Sequence, residues 1–181
     1  SIRHKRKRMR DHLVIPDPHS NPRHHQARFE AAGNYAAEKQ PDVIVCLGDW
    51  ADMDSMSSYD KGKKDFEGRR YAKDIQAAND ALYLFDKGIK RLNENRTRER
   101  KAHYKPRKIM LIGNHEVRID RAIQLAPELD GAIGIGDIEF EQHGWETVRF
   151  LDIINVDGIN YSHYFASGIM GRPISGENPA T

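Results

Sequence analysis

Apolar and polar positions along this chain fall into blocks whose period changes from one block to the next. His12-Leu13-Val14-Ile15-Pro16 is a short, mostly apolar run closed by Pro16 and Pro18. It predicts a buried strand that delivers Asp17 and His19 to a loop beyond its C-terminal end. From His24 to Lys39 the spacing turns helical, with Ala27, Phe29, Ala32 and Ala36 on the apolar side and Pro41 as the stop. Val43 to Leu47 is a second strand, apolar at every position, as expected of a parallel strand covered by helices on both faces. It ends in Gly48-Asp49, and the Ser-, Asp-, Gly- and Lys-rich stretch from Met53 to Lys64 reads as a loop.

The strongest helical signal follows. Tyr71, Ile75, Ala78, Leu82, Phe85, Ile89 and Leu92 recur at alternating spacings of four and three. Such a stripe covers about 30 Å of a sheet at 1.5 Å per residue, and Gly88 inside it costs about 1 kcal/mol of propensity. The charged run Arg96 to Lys105 continues it as a solvated helix end. Lys108 to Ile112 forms a third strand, closed by Gly113-Asn114-His115-Glu116, and a short helix is expected from Ile119 to Leu125. Val148 to Val156 and Ile159 to Tyr164 flank Asp157-Gly158, a hairpin signal that places His163 near the end of the second arm. Strand and helix alternate through the first two-thirds and antiparallel strands follow, which predicts an α/β sandwich.

Composition narrows the class. At 181 residues, 38% hydrophobic and 31% charged, the chain fits one globular domain with a full core. No apolar run approaches the roughly 18 residues of a membrane helix, and none reads as a signal peptide, so no membrane partner is expected. The single Cys46 excludes an internal disulfide framework and suits a reducing, cytoplasmic compartment. The net charge of +2 conceals an asymmetry: Arg3, Lys5, Arg6, Lys7, Arg8 and Arg10 supply six positive charges in the first ten residues. Without those six, 23 basic residues face 27 acidic ones, a body near −4. Residues 1–11 therefore read as a basic arm or linker able to touch nucleic acid, and residues 12–181 as the domain.

Three strand ends present polar residues in the same way: Asp17-Pro18-His19, Gly48-Asp49 and Gly113-Asn114-His115. Loops beyond the carboxyl ends of parallel strands converge on one edge of a sheet. Asp, His and Asn are ligand types that divalent cations accept, and glycines before Asp49 and Asn114 suit a backbone passing close to an ion.

Together with His163, these motifs resemble the signature of the calcineurin-like metallophosphoesterases, whose pattern is Asp-x-His, Gly-Asp-x-x-Asp, Gly-Asn-His-Asp/Glu, a single His and a closing Gly-His-x-His. Here Asp17-Pro18-His19, Gly48-Asp49-Trp50-Ala51-Asp52 and Gly113-Asn114-His115-Glu116 stand in that order. The resemblance implies a metallophosphoesterase-like β-sandwich flanked by helices, hydrolysing a phosphate mono- or diester with two divalent ions. Asp17 and His19 would bind the first ion, Asp49 both, and Asn114 and His163 the second. His115 would serve catalysis beside the phosphate, with Asp52 and Glu116 orienting it or a ligand. Manganese is the expected activator, with zinc, iron, nickel or magnesium able to serve. Arg118 and Arg172 are weaker candidates for holding phosphate, while His24 and His25 read as surface residues at a helix start. Ser57 to Gly62 and Tyr161 to Tyr164 further resemble phosphoesterases of tailed bacteriophages, which would place the protein in the host cytoplasm.

Rival chemistries fit poorly. The His-Glu-x-x-His pattern of zinc proteases fails at Ile119, and no Gly-x-x-x-x-Gly-Lys-Ser/Thr loop exists. Cys46, mid-strand among apolar neighbours, makes a poor nucleophile. The serious alternative is a catalytically incomplete phosphoesterase-like module that binds nucleic acid or a protein partner. No histidine follows His163, so the closing motif is missing and the C-terminal part is expected to be truncated.

Overall fold

The structure is a computed structural model in which residues 9–57, 68–167 and 172–173 are described. Most of the basic arm (residues 1–8) and the segment 58–62 of the phage-like run lie outside the described residues.

Strands β1 (His12–Ile15), β2 (Val43–Cys46), β3 (Arg107–Leu111) and β4 (Trp145–Val148) form a parallel sheet in the order β1-β2-β3-β4. Helix α1 (Ala27–Lys39) joins β1 to β2, α2 (Tyr71–Arg98) joins β2 to β3, and α3 (Val117–Leu125) lies between β3 and β4. Each connection steps in the same direction across the sheet. Right-handed crossovers then put all of these helices on one face.

The side chains of β2 and β3 divide accordingly. Ile44, Cys46 and Met110 join Phe29, Trp50, Phe85 and Trp145 in the helical core. Val43, Val45, Ile109 and Leu111 point the other way, onto Val156 and Tyr161. The expectation of helices on both faces is thus corrected. An unbroken apolar run reports burial on two sides but not the element that supplies each cover. Here the second cover is a hairpin, β5 (Ile154–Val156) and β6 (Ile159–Tyr161), turned through Asp157 (φ 53°) and Gly158 (φ 89°). A further short antiparallel pair follows, β7 (Ala166–Ser167) with β8 (Arg172–Pro173).

The single hairpin arm expected from Val148 to Val156 proves to be two elements. Trp145–Val148 pairs in parallel with β3, and a turn closed by Asp152 N–H to the Arg149 carbonyl (3.0 Å) precedes β5. At the other end of the sheet, His12 joins β1 to the hairpin. Its Nδ1 lies 2.7 Å from the Tyr161 hydroxyl and its Nε2 2.9 Å from Asp157 Oδ2.

Helices α1 and α2 cross at unusually close range. A Cβ on Gly33 would come within 1.9 Å of the Phe85 carbonyl oxygen, and one on Gly88 within 2.7 Å of the Gly33 carbonyl oxygen. The propensity lost at Gly88 is therefore offset by helix packing. Beneath that crossing Trp50 stacks with Phe29 (4.8 Å between ring centroids) and Trp145 (5.8 Å). Its Nε1 donates to the Ala78 carbonyl (3.1 Å), which anchors the chain directly after Asp49. Among the described residues no helix is long and apolar enough to cross a membrane.

Candidate metal centre

Parallel pairing carries the first two motif loops forward together past the strand ends. His19 N–H donates to the Asp49 carbonyl (3.0 Å), Ser20 N–H to the Trp50 carbonyl (2.7 Å), and Asp52 N–H to the Ser20 carbonyl (2.9 Å). The chain bends sharply there, and Asp17, His19, Asp49 and Met53 all take left-handed conformations, with φ between 26° and 49°. Non-glycine residues adopt such angles at a cost of about 1–3 kcal/mol, met by surrounding contacts and concentrated at functional sites. A Cβ on Gly113 would fall 2.1 Å from Asp49 Oδ1, so the third loop can lie against Asp49 only as glycine.

Glu116, 1% exposed, fastens the second loop to the third. Its carboxylate accepts backbone N–H groups from Ala51 (2.8 Å), Gly113 (2.9 Å) and Asp49 (3.2 Å). Burial pushes this carboxyl up to about 7; the bonds from Ala51 and Gly113 act against that rise and the Asp49 charge adds to it. Glu116 thus holds the loop backbones, whereas the sequence had suggested a partner for His115 or a ligand. Asp49 in turn accepts the His115 N–H at Oδ1 (2.9 Å).

His163, just beyond β6, is turned into this centre by Leu47. The Leu47 carbonyl, 2.7 Å from Nδ1, can only accept, so Nδ1 carries a proton and Nε2 is turned toward the centre. Nε2 lies 2.8 Å from Asn114 Oδ1 and 3.7 Å from Asp49 Oδ2. Asp17 Oδ1 lies 3.9 Å from the other ring nitrogen.

The outer part of the site is built around Asp52. His115 Nδ1 donates to the Asp52 carbonyl (2.8 Å) and lies 3.1 Å from Oδ1 of the same residue. Arg118 donates to the Asp52 carbonyl (2.9 Å) and sets Nη2 3.1 Å from His115 Nε2, so both ring nitrogens of His115 have partners. His19 Nδ1 is 3.4 Å from Asp52 Oδ1, and that nitrogen is buried without a hydrogen bond. Burial raises the Asp52 carboxyl, but hydrogen bonds from His115 and Asn21 outweigh it and hold the group well below the usual carboxylate range. The His115 imidazole, lowered by burial, is raised overall by Asp52 and the Asp49 charge.

Two groups of donors result, each with ligand atoms within 4.8 Å of one another: Asp17, Asp49 and His163, and His19, Asp52 and His115. They suit a dinuclear centre in their chemistry: carboxylate and imidazole donors, no thiolate and, among the described residues, a buried His19 nitrogen without a hydrogen bond. The grouping differs from the one the resemblance implies, because His19 falls with Asp52 and His115 and not with Asp17. Arg172 lies in β8, and its side chain is outside the described residues.

Sequence reasoning missed three braces. Asn21, 1% exposed, donates to Asp52 Oδ2 (2.8 Å) and Asp54 Oδ2 (2.7 Å), and Asp54 also pairs with Arg23. Arg28, in the first turn of α1, donates to the carbonyls of Pro18 (2.7 Å), His25 (2.7 Å) and His19, holding the loop between the two ligand candidates of the first motif. Beyond Asp17, His19 and Asp52 an open cleft of about 820 Å³ runs along α1, lined also by His24 and His25.

The sequence model of the calcineurin-like phosphoesterase family matches residues 12–171, a span that contains every donor just described. No curated protein matches the chain at a significant level.

Proposed function

Because the chain belongs to the calcineurin-like phosphoesterase family, we propose that it hydrolyses a phosphate mono- or diester at a dinuclear metal centre. The observation that carries this reading is the gathering of carboxylate and imidazole donors into two groups, Asp17, Asp49 and His163 and His19, Asp52 and His115, each with ligand atoms within 4.8 Å of one another. Carboxylates crowded beside imidazoles suit a bound cation, and the His163 imidazole, which gives its Nδ1–H to a backbone carbonyl, is oriented as metal ligands are. Following the family resemblance and not the grouping of the side chains as they stand, we assign Asp49, Asn114 and His163 to one ion, and Asp17 and His19 with Asp49 to the other.

A bound pair of divalent cations supplies charge neutralisation at the phosphoryl group and lowers the pKa of water held there. The protein's own groups do the rest. His115 is fixed through Nδ1 by Asp52, and its Nε2, faced by Arg118 Nη2 at 3.1 Å, would deliver a proton to the leaving oxygen only once Arg118 turns from the ring to the phosphoryl group. Arg118 fixes the His115 ring from the other side and brings positive charge to the phosphoryl position. Manganese is the proposed activator, on the strength of an all N/O donor set. A phage origin and a cytoplasmic location remain proposals resting on sequence likeness.

Chelate-stripped protein assayed on aryl phosphate mono- and diesters, with each divalent metal restored in turn, tests the reading. Metal-stimulated turnover is expected of the full-length protein, greatest with manganese, and little or none of a fragment that lacks the closing Gly-His-x-His. Asp49→Ala should lose paired metal and activity together. His115→Ala should keep its metal while turnover falls about 10²–10⁴-fold. Loss of metal from both variants alike would overturn the role of His115. Absence of metal-stimulated turnover in the wild type would favour a binding module.

A further inference from the structure

We propose that the cleft beside α1 is a subsite for the nucleoside part of the substrate, so that the esters hydrolysed are nucleotide-sized and carry an aromatic base. The inference rests on the phosphoesterase reading and adds a substrate class to it. The cleft begins at Asp17, His19 and Asp52 and holds about 820 Å³, near the upper end of the range of pockets that enclose ligands of drug size. A phosphoryl group at the metal centre would leave most of that space empty.

The lining selects among occupants. Ile15, Pro16 and Ala32 supply apolar surface, while His24 and His25 supply imidazoles that both donate and accept. His25 commits only Nδ1, which accepts the Ala27 N–H (3.1 Å) at the start of α1. Three of the five Arg28 N–H groups go to the carbonyls of Pro18, His19 and His25, which fixes the guanidinium plane and leaves its charge, its flat π-surface and the remaining N–H groups to offer a ligand. Its Cζ already lies 4.7 Å from the Phe29 ring centroid. A fatty chain would leave both histidines and the arginine unmatched. A bare sugar would set hydroxyls against Ile15, Pro16 and Ala32. A purine or pyrimidine has a flat apolar face, an edge of donors and acceptors, and a π-system that arginine stacks on.

The test uses the full chain loaded with manganese or, for NMR, with diamagnetic magnesium or zinc, and follows the ring resonances of His24 and His25. Adenosine and adenosine 5′-monophosphate should shift both resonances in a saturable manner, whereas ribose 5-phosphate and inorganic phosphate should not. Ala32→Trp, which fills the cleft, should lower the ratio of nucleotide to phosphate affinity by about tenfold or more. Should that variant not fold, His24→Ala should lower the same ratio severalfold. No response of either histidine to adenosine or the nucleotide would overturn the subsite, as would an unchanged affinity ratio in the folded variant. Nucleotide binding with these signatures but no hydrolysis would uphold the subsite and defeat the phosphoesterase reading alone.

Discussion

The inner and outer parts of the candidate metal centre are held by different means. On the inner side, the Asp49 and His163 side chains are each 7% exposed, and their loops are welded through Glu116, Gly113 and the Leu47 carbonyl. On the outer side, Asp17 is 51% and His19 39% exposed, on a loop that leaves the edge strand β1. The strand that delivers Asp49, β2, has neighbours on both sides to hold its loop, His163 beyond hairpin strand β6 is held by the Leu47 carbonyl, and edge strand β1 has one neighbour. The inner donors are therefore preorganised by the fold, whereas the outer loop needs side chains sent across from α1 and the Asn21 turn. Preorganisation governs ion affinity, so the inner position should bind first and more tightly.

The largest expected effect breaks the inner side. Glu116→Ala leaves the N–H groups of Asp49, Ala51 and Gly113 without their acceptor. At about 1–3 kcal/mol for each buried donor left unpaired, this removes a large share of a domain's net stability. The variant should lose roughly 10 °C or more in Tm at about 2–4 °C per kcal/mol, or fail to accumulate folded. A Tm near that of the wild type would show that the inner loops hold themselves without Glu116.

The next effect isolates the outer side. Arg28→Met keeps an unbranched side chain in the first turn of α1 and removes the guanidinium, which lies over Phe29 and donates to Pro18, His19 and His25. Weaker binding at one of two metal positions is expected, by about 10–100-fold, with the other unchanged and Tm little affected. Arg28→Lys should recover part of the loss. Calorimetric titration of metal resolves the two positions, and equal weakening of both would collapse the distinction between inner and outer.

What the sequence disclosed follows the same division. Apolar runs that end in Asp, His, Gly and Asn announce themselves, so the α/β class and the family were legible from Asp17-Pro18-His19, Gly48-Asp49 and Gly113-Asn114-His115. The braces were not. Arg28 acts on backbone carbonyls, which leave no mark in a side-chain pattern, and Asn21 reaches Asp52 across 31 positions. Glu116 was visible as a motif residue, but its three backbone partners were not. β4 was merged with the hairpin because its middle residues Glu146 and Thr147 are exposed at the sheet edge and interrupt the apolar signal. The helices' confinement to one face followed from strand order, which hydrophobic runs do not encode.

The smallest expected effect has the opposite sign and probes the ground beneath the outer side. Asp74, 3% exposed in the first turn of α2, accepts the Ser55 N–H (2.8 Å). Burial raises its carboxyl above the usual value; the Ser55 bonds oppose that rise, and the nearby Asp54 and Asp52 charges add to it. An acid whose folded pKa is raised holds its proton more tightly folded than unfolded. Below the unfolded value, about 3.9, both states are protonated and the group costs nothing. As pH rises through the folded pKa, the ionised carboxylate costs stability, and the full penalty stands at neutral pH. Asp74→Asn keeps an oxygen for the Ser55 N–H and removes the charge. It should raise Tm at pH 7, by about 2–4 °C for each kcal/mol recovered, with the difference from wild type shrinking to nothing as pH falls below about 4. Thermal melts of both proteins across pH 3 to 8 check this. A gain that persisted unchanged at pH 3 would assign the effect to packing, and a loss at pH 7 would mean that the acidic cluster under the outer loop is stabilised by a cation it binds.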